Sequence, residues 1–92
     1  MRFEWDPVKA EANRRKHAVS FTEAASVFGD PLSDTFPDPD HSVGELRYLT
    51  VGQSMDGRLL VVGHTDRDDT IRIITARQAT PHERRYYENT SH

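Results

Sequence analysis

A histidine, a glutamate and an arginine suited to proton transfer and charge stabilisation lie close together near the middle of the chain. His41, Glu45 and Arg47 fall within seven consecutive positions. Metal-independent cleavage of RNA needs a base for the 2′-hydroxyl proton, an acid for the leaving 5′-oxygen and cations for the charged transition state. Histidine and glutamate suit the first two roles, and arginine suits the third. The alternative interpretation is a solvated loop in which His41 has no chemical role.

From position 47 onward every cationic side chain is an arginine, which favours the binding of phosphate groups. These residues are Arg47, Arg58, Arg67, Arg72, Arg77, Arg84 and Arg85. A guanidinium group binds phosphate through a planar, two-pronged set of hydrogen bonds that a lysine ammonium lacks. The alternative interpretation is that these arginines form ion pairs with nearby aspartates and glutamates on a solvated surface.

The overall charge argues against a nucleic-acid partner, but the distribution of charge weakens that argument. The net charge is −3, from 12 basic and 15 acidic residues. Five of the acidic residues lie between positions 30 and 45, where there is no lysine or arginine. The other ten acidic residues share the rest of the chain with all 12 basic ones. The acidic excess is therefore local, and a phosphate-binding surface elsewhere is compatible with it.

Other residues that could bind a ligand have simpler structural interpretations. The chain has no cysteine, which excludes disulfides and thiolate metal sites. Oxygen and imidazole groups that could hold a metal are present, but their spacing supports no site, so we expect no metal ion. These groups are Asp38, Asp40, His41, His64 and Asp66. Trp5 and one tyrosine of the pair Tyr86-Tyr87 are expected to pack in the core, with stacking on unpaired bases as the alternative.

Capping motifs predict where the helices begin. Asp6-Pro7 combines an N-cap aspartate with proline at the first helical position. Ser20 to Glu23 and Thr80 to Glu83 both match the capping box, S/T-x-x-E. The predicted helices span residues 7–17, 20–28 and 80–87, and residues 89–92 are expected to form a frayed tail.

The apolar pattern predicts strands in the remainder of the chain. The predicted strands span residues 3–5, 32–36, 47–54, 59–65 and 70–76. Asp56-Gly57 is a strong hairpin signal, and the last three strands are expected to form an antiparallel meander. Strict alternation along the last strand places Arg77 on the face of Ile73 and Arg72 on the opposite face.

These elements predict an α+β fold in a single domain over residues 1–92. It consists of an antiparallel β-sheet with a β-hairpin meander, on which two N-terminal helices and a short C-terminal helix pack. We expect the helices to cover one face and leave the other partly open, and the arginines to converge on that open face. Arg67 and Arg77 fall at opposite ends of neighbouring antiparallel strands. The absence of a signal-peptide pattern and of a long apolar run predicts a cytoplasmic protein.

A series of short motifs resembles the BrnT toxins, the RNA-cleaving partners of bacterial type II toxin–antitoxin pairs. Phe3 to Lys9 is similar to the F-x-W-D-x-x-K start of that family, and residues 13–24 are similar to its N-x-x-K-H-G-V-x-F-x-E-A stretch. The later matches are His41-Ser42, Glu45-Leu46-Arg47, Gly52-Gln53-Ser54, Gly57-Arg58, Thr65-Asp66-Arg67, Ile71-Arg72-Ile73-Ile74, Ala76-Arg77, Glu83-Arg84 and Tyr87-Glu88. The resemblance covers nearly the whole chain, and the order and spacing of the motifs make it specific.

The resemblance implies a RelE-like fold and a metal-independent endoribonuclease without a cofactor. It also implies a BrnA-like antitoxin with a ribbon-helix-helix DNA-binding region, assembled with the toxin as a heterotetramer, and a homodimer as one state of the toxin alone. The implied catalytic residues are Arg67 and Arg77 for transition-state charge, together with His41, Glu45 and Arg47. Tyr87 is an alternative to His41 and Glu45 in proton transfer. The residues expected to bind RNA are Lys16, Arg72, Arg84 and Tyr87.

One residue departs from the family pattern, and two other functions stay open. Ala18 stands where the family has glycine, and a left-handed conformation there would cost roughly 1 kcal/mol, which a right-handed turn would avoid. The first other function is a non-enzymatic interaction module that binds an acidic partner segment. The second is a nucleic-acid-binding protein without catalysis, whose binding would depend strongly on salt.

Overall fold

The computed structural model describes residues 1–90 and is built on a five-stranded sheet with the strand order β1-β5-β4-β3-β2. The strands are β1 (Arg2–Glu4), β2 (Asp34–Pro37), β3 (Tyr48–Gln53), β4 (Leu59–Arg67) and β5 (Thr70–Gln78). The helices are α1 (Pro7–His17), α2 (Phe21–Ser26) and α3 (Pro81–Thr90), with short 3-10 helices at Val27–Gly29 and Pro39–His41. The predicted α+β class is confirmed.

The sheet is mixed rather than purely antiparallel. Strands β2 to β5 pair antiparallel in chain order, and this includes the predicted meander. β1 instead pairs parallel with β5, with Phe3 opposite Ile71. A three-residue strand carries too little pattern to indicate a partner so distant in the sequence, so the alternation along β1 could predict only that a strand exists.

The three predicted helix starts are confirmed by the caps. The Asp6 side chain accepts a hydrogen bond from the backbone N–H of Val8 (2.8 Å), and Ser20 Oγ accepts one from Glu23 (3.0 Å). At the third start the Thr80 N–H donates to Glu83 Oε1 (2.8 Å) and the Glu83 N–H donates to Thr80 Oγ1 (3.2 Å), which completes a capping box. α3 continues to Thr90, past the predicted end near Tyr87 and into the tail expected to fray. The rest of that tail, residues 91 and 92, lies outside the described residues.

The first face of the sheet, which we call the covered face, packs against α1 and α2. Its buried side chains include Leu60, Val62, Ile73 and Ala76. Asn13, buried at the middle of α1, joins the helix to the sheet. Its Nδ2 donates to the carbonyls of Val19 (3.0 Å) and Ala76 (2.9 Å), and its Oδ1 accepts from the Ala76 N–H (3.1 Å).

The opposite face, which we call the outer face, is partly covered by α3. Its residues on β4 and β5 include Val61, Gly63, Thr65, Arg67, Arg72, Thr75 and Arg77. Tyr87 of α3 packs on a second apolar cluster formed by Val51, Leu59 and Val61. The prediction that all helices lie on one face is therefore wrong, because these apolar side chains also need cover.

A bulge in β5 overturns the predicted alternation of that strand. Gly63 pairs with Thr75 and His64 pairs with Ile73, so Ile74 is an extra residue with no partner on β4. An inserted residue reverses the side-chain alternation beyond it. Arg77 consequently lies on the outer face with Arg72 and not with Ile73, contrary to the sequence prediction.

Candidate functional site

Three arginines surround Thr65 at one end of the outer face. Thr65 of β4 pairs with Arg72 of β5. Continuing the β3–β4 register one step beyond Tyr48 and His64 places Arg47 on the other side of Thr65. Neighbouring strands are about 4.8 Å apart, so the backbones of Arg47 and Arg72 flank Thr65 at about 10 Å from each other. Arg67 follows two residues after Thr65 on the same face. We call Arg47, Arg67 and Arg72 the arginine cluster.

Two carboxylates contact the arginine cluster from its edges. Arg67 Nε donates to Glu45 Oε2 (2.6 Å), and Arg72 Nη1 lies 3.4 Å from Glu4 Oε2. The hydrogen bond from Arg67 lowers the pKa of Glu45 against the opposing effect of desolvation, and the charges of Arg67 and Arg72 add to it. The Arg67 side chain is 69% exposed. Exposed ion pairs are weak, so a phosphate group can replace these carboxylates at little cost.

Arg47 contacts the sheet where β4 has no side chain. A Cβ atom added to Gly63 would lie 3.5 Å from Arg47 Nη2 and 2.6 Å from Thr75 Oγ1. The guanidinium group therefore extends over the Gly63 backbone. Within residues 1–90, Arg47 Nε and Thr65 Oγ1 are the two buried side-chain polar atoms without a hydrogen-bond partner. Buried polar atoms are normally paired, so two such atoms on neighbouring residues of one face mark this position as unusual.

The acidic loop that precedes β3, residues 38–45, forms hydrogen bonds to the backbone of Arg47. The Asp38 N–H donates to the Arg47 carbonyl (2.9 Å), and the Arg47 N–H donates to Ser42 Oγ (2.9 Å). This closure brings Glu45 to Arg67, 22 positions away in the chain. His41 lies on the same loop, where its Nδ1 is 2.8 Å from Asp38 Oδ2 and its side chain is 63% exposed. The structure thus unites Glu45, Arg47 and Arg67, and holds His41 on the adjoining loop.

Arg77 lies at the other end of the outer face. It pairs with Val61, six positions from Arg67 along β4, which corresponds to about 20 Å. Its guanidinium donates to both carboxylate oxygens of Glu83 (2.8 and 2.9 Å), and this interaction lowers the pKa of Glu83 to about 2. Arg77 therefore joins β5 to the first turn of α3, and it is too distant to share one phosphodiester with Arg67.

The remaining residues predicted to bind RNA lie apart from the cluster. Lys16 is exposed in the last turn of α1, which packs on the covered face. Arg84 is exposed on α3, near Arg77. Tyr87 donates its hydroxyl to Asp30 Oδ2 (2.6 Å), and burial together with this hydrogen bond raises its pKa to about 12. The Tyr87 hydroxyl is therefore held within the fold.

His64 is a buried polar residue on the covered face. Its Nε2 is 2.7 Å from Thr50 Oγ1, and its Nδ1 is 2.6 Å from Asp66 Oδ1. The ring stacks on Tyr48 and meets Phe28 edge-on. Burial lowers the pKa of His64, and the hydrogen bond to Asp66 opposes this effect in part.

Four of the five candidate metal ligands form two separate pairs, His41 with Asp38 and His64 with Asp66. In residues 1–90 no three histidine or acidic side chains are grouped so as to hold a metal ion.

None of the described helices is long and apolar enough to cross a bilayer.

Sequence reasoning missed Gly63 and Thr75 as parts of the site. Strict alternation placed Thr75 on the covered face, because the bulge at Ile74 leaves no mark in the sequence. Alternation did predict that Thr65 and Arg67 share a face, but the unpaired Thr65 hydroxyl depends on packing that only the structure reveals.

Comparisons with known proteins identify the family. The crystal structure of the Brucella abortus ribonuclease toxin BrnT superposes with a TM-score of 0.68 over 87% of this chain and 97% of that one, at 19% sequence identity. That likeness establishes the fold. No curated protein gives a significant match. The family profile described as "Ribonuclease toxin, BrnT, of type II toxin-antitoxin system" matches residues 5–83. Because this match spans most of the 92 residues, the chain belongs to the BrnT family of ribonuclease toxins of type II toxin–antitoxin systems.

Proposed function

We propose that this protein is a cytoplasmic endoribonuclease toxin that cleaves RNA at the arginine cluster without a metal ion. The observation that carries the proposal is the convergence of Arg47, Arg67 and Arg72 around Thr65 at the exposed end of the outer face. Guanidinium groups on three sides of one position can stabilise the extra negative charge of a phosphorane-like transition state. The family establishes a ribonuclease toxin, and the cluster supports this particular location for its chemistry.

Glu45 is the side chain best placed to be the general base. The Glu45 carboxylate is hydrogen-bonded to Arg67. It can take a proton only after the Arg67 guanidinium has moved to another anion. An incoming phosphodiester supplies that anion. Once Arg67 has moved to the phosphate, Glu45 loses the hydrogen bond that lowers its pKa and becomes a stronger base.

In the proposed reaction Glu45 takes the proton of the 2′-hydroxyl, and the 2′-oxygen attacks phosphorus. The bond from phosphorus to the 5′-oxygen breaks, and His41 in its protonated form donates a proton to that oxygen. The products are a 2′,3′-cyclic phosphate and a 5′-hydroxyl end. Tyr87 has no role here, because its hydroxyl is held by Asp30. Arg77 supports the fold through Glu83, and Lys16 and Arg84 contact flanking RNA at most.

The test is cleavage of a defined RNA by purified protein in the presence of EDTA. We expect 2′,3′-cyclic phosphate ends, and a loss of at least about 100-fold for Arg47→Ala and Arg67→Ala, the size of effect typical when one group that stabilises developing charge is removed. Arg85→Ala on α3 is the matched control and should cleave normally. Inactive wild-type protein, or full activity of both cluster variants, would contradict the proposal.

The proposed protein partner is a BrnA-like ribbon-helix-helix antitoxin, bound in a heterotetramer, with a homodimer in its absence.

One observation favours an alternative function, a non-enzymatic module that binds an acidic partner segment. Arg67 and Arg72 already form ion pairs with carboxylates, those of Glu45 and Glu4. Under that alternative the protein would bind its antitoxin with full affinity while leaving RNA intact, and the cleavage assay distinguishes the two.

A further inference from the structure

We propose that Arg47, Thr65 and Thr75 form a seat for one RNA phosphate group above the backbone of Gly63. This inference rests on the proposed function, because it names the atoms that would hold the phosphodiester during cleavage. We call these three residues the phosphate seat.

Two side chains of the phosphate seat, those of Arg47 and Thr75, approach each other over Gly63. Thr75 Oγ1 and Arg47 Nη2 lie 2.6 and 3.5 Å from the point where a Cβ of residue 63 would stand, so the two atoms are at most about 6 Å apart. A phosphate oxygen between them would lie within hydrogen-bond distance of both. Thr75 belongs to β5 and Arg47 immediately precedes β3, the strands on either side of β4. Both side chains reach this point only because residue 63 has no side chain. A glycine inside a strand often marks such a close approach.

Thr65 supplies a second and independent observation. Thr65 is only 4% exposed, and its side-chain hydroxyl has no hydrogen-bond partner within residues 1–90. Arg47 Nε is also buried and unpaired. Leaving a buried polar group unsatisfied is unfavourable, so a bound anion that accepts hydrogen bonds from these donors would remove that cost. Thr65 lies two residues from Gly63 on the same face, about 6.6 Å along the strand.

The bulge at Ile74 makes the seat possible. Without the extra residue, Thr75 would lie on the covered face and Gly63 would have no hydroxyl beside it. Bulges are frequent next to functional sites, because they redirect a side chain without ending the strand.

The chemistry of the seat favours a phosphate over a carboxylate of a protein partner. The hydroxyls of Thr65 on β4 and Thr75 on β5 and the guanidinium group of Arg47, which precedes β3, approach from three sides, and a tetrahedral anion can accept from three directions. A carboxylate is planar and accepts mainly within its plane.

The experiment is a titration of isotope-labelled protein with inorganic phosphate and with an uncleavable 2′-deoxy dinucleotide, followed by NMR. We expect saturable shifts of the Arg47 side-chain Nε–H and of the Gly63, Thr65 and Thr75 amides. Thr75→Val should bind the dinucleotide about fivefold more weakly, the effect of one net hydrogen bond. Gly63→Ala should weaken binding at least as much, because its Cβ would displace Thr75. Thr22→Val, an exposed threonine on α2, is the matched control and should bind normally.

Other outcomes would separate this inference from the proposed function. Shifts that are absent, or that are unchanged in folded Thr75→Val and Gly63→Ala, overturn the seat. If an acidic peptide shifts these resonances while phosphate and the dinucleotide do not, the position is a protein interface and the inference is wrong. If phosphate binds as expected but the wild-type protein cleaves no RNA, the seat stands and the proposed function fails.

Discussion

Arg67 and Arg77 share the outer face but lie at opposite ends of it. Arg67 is opposite Thr70, and Arg77 is opposite Val61, so the length of β4 separates them. Their partners differ as well. Arg67 contacts the half-buried Glu45 of the acidic loop, whereas Arg77 is held by both oxygens of Glu83 in the first turn of α3. The same residue type therefore has two roles on one face.

This separation predicts different effects for the two alanine variants. Arg67→Ala should reduce RNA cleavage by at least about 100-fold and leave the free energy of unfolding nearly unchanged. Arg77→Ala should lower the free energy of unfolding by about 1 kcal/mol and reduce cleavage only modestly. Initial cleavage rates and urea unfolding curves of both variants would check this. An Arg77→Ala protein that is fully stable yet as inactive as Arg67→Ala would show that the chemistry extends to the α3 end.

The buried ion pair between Glu23 and Arg58 predicts a large stability effect away from the site. Arg58 Nε donates to Glu23 Oε2 (2.9 Å), and a second hydrogen bond joins Arg58 Nη2 to Glu23 Oε1. Arg58→Ala would leave the buried carboxylate with Ser54 Oγ (2.7 Å) as its remaining side-chain partner. Because Arg58 is partly exposed, we expect a loss of about 2–3 kcal/mol, below the roughly 3–5 kcal/mol of a fully buried pair.

Urea unfolding would measure that loss, with the exposed Arg85→Ala variant as the matched control. Cleavage per folded molecule should stay normal at low temperature, because the side chains of Glu23 and Arg58 bond to each other, to Ser54 and to the Ala18 carbonyl, outside the arginine cluster. Equal stability of the Arg58→Ala and Arg85→Ala proteins would contradict the assignment of this pair as a structural contact.

Local signals predicted the elements well because their causes are local. The caps at Asp6, Ser20 and Thr80 depend on side chains within three residues of the helix start. The hairpin at Asp56-Gly57 depends on the positive φ of Gly57 (81°). By contrast, the parallel pairing of β1 and the position of α3 on the outer face depend on contacts between distant parts of the chain.

The same distinction applies to the candidate site. His41, Glu45 and Arg47 could be selected from the sequence because they are neighbours in it. The contact of Glu45 with Arg67 could not be predicted, since it depends on how the loop closes on Arg47. The family resemblance groups Arg77 with Arg67, whereas the predicted strands place the two at opposite ends of an antiparallel pair, and the register of β4 with β5 confirms that separation.

Ala18 predicts a stabilising substitution. It follows α1 in a left-handed conformation, with φ 57° and ψ 34°, so a residue with a Cβ atom adopts a conformation that favours glycine. Ala18→Gly should raise the free energy of unfolding by about 0.5–1 kcal/mol, because glycine adopts this conformation without a steric penalty. Thermal and urea unfolding would measure the gain, and Ala12→Gly inside α1 is the control that should instead lose about 1 kcal/mol. A loss of stability in Ala18→Gly would show that the methyl group contributes packing greater than the strain.

His64 predicts how stability changes with pH. Burial holds the pKa of His64 in the folded protein below its ordinary value of 6.5. At a pH between the folded pKa and 6.5, His64 therefore carries a proton in the unfolded chain but not in the native state. The group therefore makes no difference above pH 6.5, and the free energy of unfolding falls as the pH drops below it, by at most about 1.4 kcal/mol per pH unit. Asp66 reduces this loss, because its hydrogen bond favours the protonated imidazole. Glu23 and Glu83, whose pKa values are lowered from 4.5, add a separate loss only at more acidic pH.

Urea unfolding between about pH 7.5 and 5 should show the slope in the wild-type protein and a flatter profile in His64→Gln, which keeps a hydrogen-bonding group without the titration. The imidazole proton resonances of wild-type His64 should likewise stay unchanged as the pH falls through 6.5. If those resonances titrate at the ordinary value, or if His64→Gln retains the full slope, the buried neutral histidine is not the source of the pH dependence.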